Sequence, residues 1–587
     1  MTFDPTSQLQ LLRLEYATLF AVSVHVSLFS VSSQALLIRS LIVVIPGSII
    51  YWIYSRERRF AAAKIQPDDS EKEHEPAAIN SITQKLRLRT SYGLWMCFIL
   101  YCCKVLATPP NRYGSPINCW KLSLLNASLV SAMGPYSISS WLKLGVAVLK
   151  RSAITSCLSG LLLCTGWTLT RSKNITLFNT GEPVLLMCVV FFATFLSVAC
   201  AHVAIRVASS SFSYGEASLL FQGVIIAGLV WFSPGTTKDS GVSYSWTNFS
   251  TDDRFDGLFC VGSIISIWLA VSAAVFCRIT SMNVRTTTCG MLFYLNLVSS
   301  LSVGYIYWVR HYGEDLLLWM LRFIFDQFPL RLLLIVFWAL CTLSALVYTI
   351  SFTYDAGNSS SSNSRHGVST AGRKPYHAIV VLIYISGILV DPQLLLTGSV
   401  IAACAFSLAE TVRLTRVPPF GLVLDSIFEY MRDEKDTGLL MLSHAYLLIG
   451  IFAPLWLDPG LATIGPSEGT NWQGLRFLSL YAGVLSIGVG DAAASIGGSW
   501  IGRHTFPGTK KTIEGTLCSV IAQLIATVAI VIVVSYANSL SPFELLFSSY
   551  ANCIKIASAC ILSSLLEAFT QHSDNLVLPF VAYCMLC

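Results

Sequence analysis

Apolar runs of helix-spanning length recur throughout this chain, and no other feature limits its fold as severely. Residues 183–206, 257–277, 330–350 and 516–535 are examples, each near the ~20 residues that carry a helix across a bilayer core. Of the 587 residues, 54% are hydrophobic and only 12% charged, against roughly 25% charged in a soluble domain. The charges sit in short blocks between the runs. A water-soluble core could bury one or two such runs but not a dozen. The expected fold is all-α, a polytopic transmembrane helical bundle with roughly 14 membrane segments.

Two weaker runs occupy 15–54, and a polar stretch over 55–90 follows them. Further runs lie near 92–107, 141–170, 183–206, 216–234, 257–277, 289–308 and 316–350, the last long enough for two. Residues 355–375 read DAGNSSSSNSRHGVSTAGRKP, a tract too polar and small to bury a core. It is expected to be a flexible loop over 355–376, dividing a multi-span scaffold (1–354) from a C-terminal catalytic region (377–587). Spans are then expected at about 377–410, 438–457, 475–500, 516–537 and 544–568, followed by a short apolar tail.

The net charge of +6 is modest, and its Lys and Arg lie in inter-run loops, so no nucleic-acid surface is expected. Most of the 18 cysteines fall inside apolar runs, among them Cys188, Cys277, Cys404 and Cys560, and read as small packing residues. His25 and His202 read as helix-packing residues hydrogen-bonded to a neighbour. Sequons at Asn126, Asn174, Asn248 and Asn358 are short enough to arise by chance. No cleaved signal peptide and no internal repeat are expected.

The chemistry concentrates in SIGVGDAAASIGGSWIGRHTFPGTKKTIEGT, residues 486–516. Asp491 ends an apolar run, where a carboxylate costs a few kcal/mol unless partnered. Counted at helical period, Gly488, Asp491, Ser495, Gly498 and Gly502 share one face, which is otherwise nearly bare backbone. Such a face serves either close helix packing or the approach of a bulky polar ligand. Next come Pro507 and Gly508 as a turn, then Thr509, Lys510, Lys511 and Thr512. Ammonium groups beside hydroxyls and glycine N–H groups make a phosphate-binding set. Arg503, Lys510 and Lys511 also serve as cytoplasmic anchors under the positive-inside rule. Glu514 is read as either a Mg²⁺ ligand or an ion-pair partner orienting a lysine. The loop is not a Walker A motif.

The string GDAAASIGGSWIGRHTFPGTKKTIEGT resembles the CTP-binding segment of the dolichol kinase family and, more distantly, that of the phosphatidate cytidylyltransferases. Two flanking blocks favour the former: AETVRLTRVPPFG (409–421) with MRDEKDTGLLMLSHAYLLIG (431–450), and LLEAFTQHSDNLVLPF (565–580). The resemblance covers about 377–587; over 1–350 it amounts to similar hydropathy.

The resemblance implies a CTP-dependent kinase that phosphorylates dolichol for protein glycosylation at the endoplasmic reticulum membrane, with the CTP loop cytosolic. It implies Mg²⁺ at Asp491 and Glu514, and catalytic roles for Asp491, Lys510 and Lys511. CTP contacts would run over Gly490, Ser495, Gly498, Gly502 and Arg503, then Pro507, Gly508, Thr509, Lys510, Lys511, Thr512, Glu514, Gly515 and Thr516. Arg413, Arg416, Asp433, Asp436, His444, Glu567, Asp574 and Asn575 are acceptor-side candidates. Each carboxylate among these also reads as an interfacial charge or helix cap, and His444 as a packed histidine. A cytidylyltransferase, a kinase of another lipid alcohol and a transporter are the alternatives.

Overall fold

The computed structural model describes residues 5–29, 287–358, 370–430, 438–457, 476–537 and 550–586, with shorter pieces within 208–220, 254–269, 432–436 and 541–542. Among the described residues the structure is helical apart from one isolated β-bridge. Among the described residues, six helices are long and apolar enough to cross a membrane: Gly290–Tyr312, Leu330–Tyr348, Pro392–Thr415, Val484–Ile501, Ile513–Ala537 and Asn552–Phe569. Three apolar helices are shorter. The helical membrane character expected is present, and the described residues leave the count of about fourteen untested. The runs near 92–107, 141–170 and 183–206, and His202, lie outside the described residues.

Where the sequence shows one long run, the structure often breaks it at a capping residue. The run 316–350 divides into α3 (Leu316–Asp326) and α4 (Leu330–Asn358), following α1 (Pro5–Phe29) and α2 (Thr287–Tyr312). Asp315 starts α3 by accepting the N–H groups of Leu317 and Leu318 at 2.8 and 3.0 Å, and α3 has only 11 residues, too few to span. The run 377–410 likewise divides into α5 (Thr370–Val390) and α6 (Pro392–Thr415). Asp391 accepts the Leu394 N–H at 3.0 Å, and Pro392 occupies the first helical position, where no N–H is needed. Asp391 also pairs with Arg331 at 2.5 Å, both almost fully buried.

The chain forms two compact units: residues 1–226 with 466–587, and residues 227–465. The boundary expected at 355–376 therefore falls within the second unit, where helix covers 355–358 and 370–376; residues 359–369 are outside the described set. The second unit also holds α7 (Gly421–Tyr430) and α8 (Leu442–Leu457). Its helices α4, α5 and α6 meet at Trp338, whose indole donates to Ser386 Oγ at 3.0 Å and packs over Gly387 and Gly398.

The first unit joins α1 to a C-terminal bundle. It contains a 3₁₀ turn (Arg476–Tyr481), a π-helical stretch (Val484–Asp491), α9 (Ala492–Ile501), α10 (Ile513–Ala537), α11 (Tyr550–Phe569) and α12 (Asp574–Leu586). Helix α10 carries a buried polar stripe of Ser519, Gln523 and Thr527. Gln523 donates to Ser519 Oγ at 3.1 Å and to Ser564 Oγ on α11 at 3.0 Å, a polar bond between apolar helices. His25 on α1 hydrogen-bonds the Met585 carbonyl at 3.2 Å and Ser558 Oγ at 2.8 Å, the packing role expected of it. Cys404 and Cys560 are free thiols set among packed side chains.

Candidate active site

Residues 502–512 form a short hairpin between α9 and α10, and its sequence explains the shape. Pro507 and Gly508 take the two central positions of a turn, closed by Thr509 N–H donating to the Phe506 carbonyl at 3.2 Å. Gly508 has φ +75°, the left-handed value that this turn demands at its third residue and that glycine adopts freely. Thr505 and Thr512 bridge across the hairpin, with Phe506 N–H to Lys511 O at 3.0 Å and Ile513 N–H to His504 O at 2.8 Å. The hydroxyls are used in folding. Thr509 Oγ1 accepts the Lys511 N–H at 2.7 Å, and Thr512 Oγ1 caps α10 by accepting the Gly515 N–H at 3.1 Å. Thr516 Oγ1 donates back to the Thr512 carbonyl at 3.2 Å.

Glu514 closes the base of the hairpin. It accepts from Arg503 N–H at 3.1 Å, from His504 N–H at 3.2 Å, and pairs with His504 Nδ1 at 2.6 Å. Its carboxylate holds the loop backbone rather than a lysine. Arg503, His504 and Lys510 are left exposed around the tip, and Lys510 has no ion-pair partner among the described residues.

Lys511 points the other way. Its Nζ lies 2.9 Å from Glu567 Oε1 on α11 and 3.7 Å from Asp574 Oδ2 at the start of α12. Glu567 is 3% exposed and Lys511 37%. Burial works against the ammonium, but Glu567, Asp574 and Asp491 outweigh it and raise the lysine above its ordinary range. Lys511 is therefore a fixed cation throughout neutral pH, held by carboxylates from three helical segments. Phe506 packs edge-on against Phe569, centroids 5.1 Å apart, and joins Leu11, Leu14, Leu565 and Ala568 in one apolar cluster. The hairpin is thus pinned to α11 by one apolar and one ionic contact.

Asp491 sits where the π-helical stretch passes into α9. A π-turn bonds i to i+5 rather than i+4, so the α-helical count from Gly488 to Asp491 does not hold. Beyond Asp491 the α period applies, and the small residues turn toward α10. A Cβ on Gly515 would stand 2.7 Å from the Ala494 carbonyl and 3.1 Å from Gly498 Cα, and one on Gly490 would stand 2.5 Å from Gln523 Nε2. Gly502 similarly faces Thr512. Of the two expected uses of this face, close helix packing is what Gly498 and Gly502 do here, against Thr512 and Gly515; Ser495 lies part-buried on the same helix.

The remaining candidates, Asn575 apart, lie in the other unit. Arg413 is buried and holds Glu410 through two bonds of 2.8 and 2.7 Å, the Leu439 carbonyl at 2.7 Å and Asp425 at 3.3 Å. Arg416 pairs with Asp425 at 2.7 Å. Asp436 caps α8, accepting from Leu442 and Ser443 N–H at 3.1 and 3.2 Å, the capping role weighed for it. His444 packs against Phe428. Asp433 lies outside the described residues. Asn575 follows Asp574 in the first turn of α12.

A divalent cation would find hard oxygen donors in Asp491, Glu567 and Asp574 about Lys511. The described residues contain no cluster of three or more His, Cys, Asp or Glu able to hold a metal. Mg²⁺ takes one or two carboxylates together with substrate phosphates. Glu514 fits poorly, since its oxygens already accept loop hydrogens.

Sequence reasoning missed Glu15, Ser213, Glu216 and His572, all buried around the α11–α12 corner. The signal was present, because Glu15 and Glu216 are carboxylates beside or within apolar runs.

A family model described as dolichol kinase matches residues 188–451. The chain is 39% identical to the dolichol kinase of Homo sapiens over 302 residues, 51% of this chain and 53% of that protein. It is 40% identical to that of Bos taurus over 270 residues, 46% of this chain and 47% of the relative. It is 29% identical to dolichol kinase EVAN of Arabidopsis thaliana over 304 residues, 51% and 48%. The match thus spans about half the length of these relatives. The family-model match begins well upstream of 350, where hydropathy alone had suggested a likeness, takes in Ser213 and Glu216, and ends before the hairpin 502–512. No solved structure matches.

Proposed function

We propose that this chain, similar to dolichol kinases over residues 188–451 and to its relatives of that name, belongs to that family and phosphorylates dolichol with CTP as donor. The observation that carries the reading is the hairpin 502–512. It presents Arg503, His504 and Lys510 outward and fixes a second cation, Lys511, among Glu567, Asp574 and Asp491. Two reactants of opposite character have to meet, a water-borne nucleotide and a bilayer-buried alcohol. A basic loop joining two membrane-length helices supplies such a place.

In this reading the exposed cations receive the phosphate chain, and Lys511 neutralises charge that spreads over the transferring phosphoryl oxygens. Mg²⁺ held by Asp491 and Asp574 would supply further neutralisation of phosphate charge. Glu567 and Glu514 keep the lysine and the loop in position. The acceptor alcohol gives up its proton late in a loose transition state. The basic residues of the loop support a cytosolic face in the endoplasmic reticulum membrane.

Lys510→Ala and Asp491→Asn test the assignment, because Lys510 makes no ion pair that would be lost among the described residues and Asn matches Asp in shape. Phosphate transfer to dolichol in membranes is expected to fall about 100-fold or more in each, at unchanged protein level. Full activity in both variants would remove the hairpin from the site.

A further inference from the structure

We propose that Glu216 and Glu15 are positioning residues for the Lys511 cluster: buried carboxylates from the N-terminal part of the chain that fix the corner carrying its two counter-charges. The functional half of this inference rests on the reading of Lys511 given above.

Glu567 belongs to the last turn of α11, and Asp574 is the first residue of α12. Only Thr570, Gln571, His572 and Ser573 separate the two helices, so the conformation of this corner sets where both carboxylates stand relative to Lys511 Nζ. Part of that conformation is local. Thr570 N–H donates to Leu566 O at 2.8 Å, and Ser573 O accepts from Leu576 and Val577 at 3.2 and 3.0 Å. His572 N–H reaches Thr570 Oγ1 at 3.3 Å.

The rest comes from far away in sequence. Ser573 N–H donates to Glu216 Oε1 at 3.0 Å, and Thr570 Oγ1 donates to Glu15 Oε1 at 3.2 Å. Ser213 and Glu216 form a reciprocal capping box. Ser213 N–H donates to Glu216 Oε2 at 3.1 Å, and Glu216 N–H to Ser213 Oγ at 3.3 Å. Each Glu216 oxygen thus serves one helix start: Oε2 its own, Oε1 that of α12. The fully buried His572 ring completes the contact, with Nδ1 3.2 Å from Ser213 Oγ and 4.0 Å from Glu216 Oε1.

Glu15 and Glu216 are 1% and 0% exposed. Buried carboxylates are costly unless satisfied by hydrogen bonds, and both of these spend a bond on the same four-residue corner. Gln at 216 offers one acceptor oxygen and a donating NH₂, so it cannot hold both N–H groups.

The test reads the lysine itself. The full chain in membranes is treated with an amine-acylating reagent, and the labelling of Lys511 is compared with that of the adjacent, exposed Lys510 by mass spectrometry. In the wild type Lys511 should react far more slowly than Lys510. Glu216→Gln should raise the Lys511-to-Lys510 ratio several-fold without increasing labelling of the buried Lys555, and Thr570→Val should move it the same way. Phosphate transfer should fall about 10-fold or more in kcat, with KM for dolichol unchanged.

An unchanged ratio in folded protein would overturn the proposal, as would a rise shared by Lys555, which marks general unfolding. If Glu216→Gln fails to insert, the near-isosteric Thr570→Val decides. If the wild type transfers no phosphate, the kinase reading fails while the labelling still judges this one.

Discussion

Lys511 and Glu514 show how neighbouring charges in one loop come to different work. Both are legible in the sequence as phosphate-site candidates, but their partners differ in distance along the chain. Glu514 folds back on Arg503 and His504, ten or eleven residues away. Lys511 reaches Glu567, 56 residues on, a pairing no local pattern announces. Because its neighbours raise the Lys511 pKa, the ion pairs are fully formed below the ordinary lysine range and are lost only as pH climbs through the higher folded value. Lys511 therefore does not titrate between pH 7 and 9. Arg, whose guanidinium stays charged throughout this range, does not either. The pH profiles of wild type and Lys511→Arg are expected to superimpose after scaling over that interval. An alkaline limb present in the wild type and absent from the variant would contradict the assignment.

Among the elements, the crossing of α9 and α10 holds the hairpin at both ends, and glycine makes it possible. The sequence offered two uses for the small-residue face and could not choose, since a bare face looks the same whether a helix or a ligand lies upon it. The structure packs it against the start of α10 at Gly498 and Gly502. The π-helical stretch before Asp491 was not legible, because nothing in VLSIGVGD distinguishes an i+5 bond from an i+4 bond. The Pro507–Gly508 turn was legible, since both residues are chemically suited to their turn positions. Gly515→Ala places a methyl against the backbone of α9 and is expected to destabilise the protein by about 1–3 kcal/mol. Thermal unfolding in detergent checks this, and an unchanged midpoint would mean the helices can part without cost.

For the molecule as a whole, hydropathy conveyed the membrane bundle but not its divisions. Long runs conceal breaks at Asp391–Pro392 and at Phe328–Pro329, where a cap or a missing N–H ends one helix and starts another. Nor could hydropathy reveal that α1 and the segment around Glu216 belong to the same compact unit as the C-terminal bundle. That union depends on buried hydrogen bonds between residues more than 300 positions apart. It gives the N-terminal part a place beside the candidate site.

In the proposed reaction the basic hairpin delivers a terminal phosphate from CTP to a membrane alcohol. The most direct measurement supplies membranes containing the protein with dolichol, Mg²⁺ and CTP labelled at either the γ- or the α-phosphate, then follows label into the organic phase. Label is expected from γ-labelled CTP alone, and it should be lost in Asp491→Asn. Lipid labelled from the α-phosphate, with phosphatidic acid as acceptor, would mean nucleotidyl transfer and would contradict the claim.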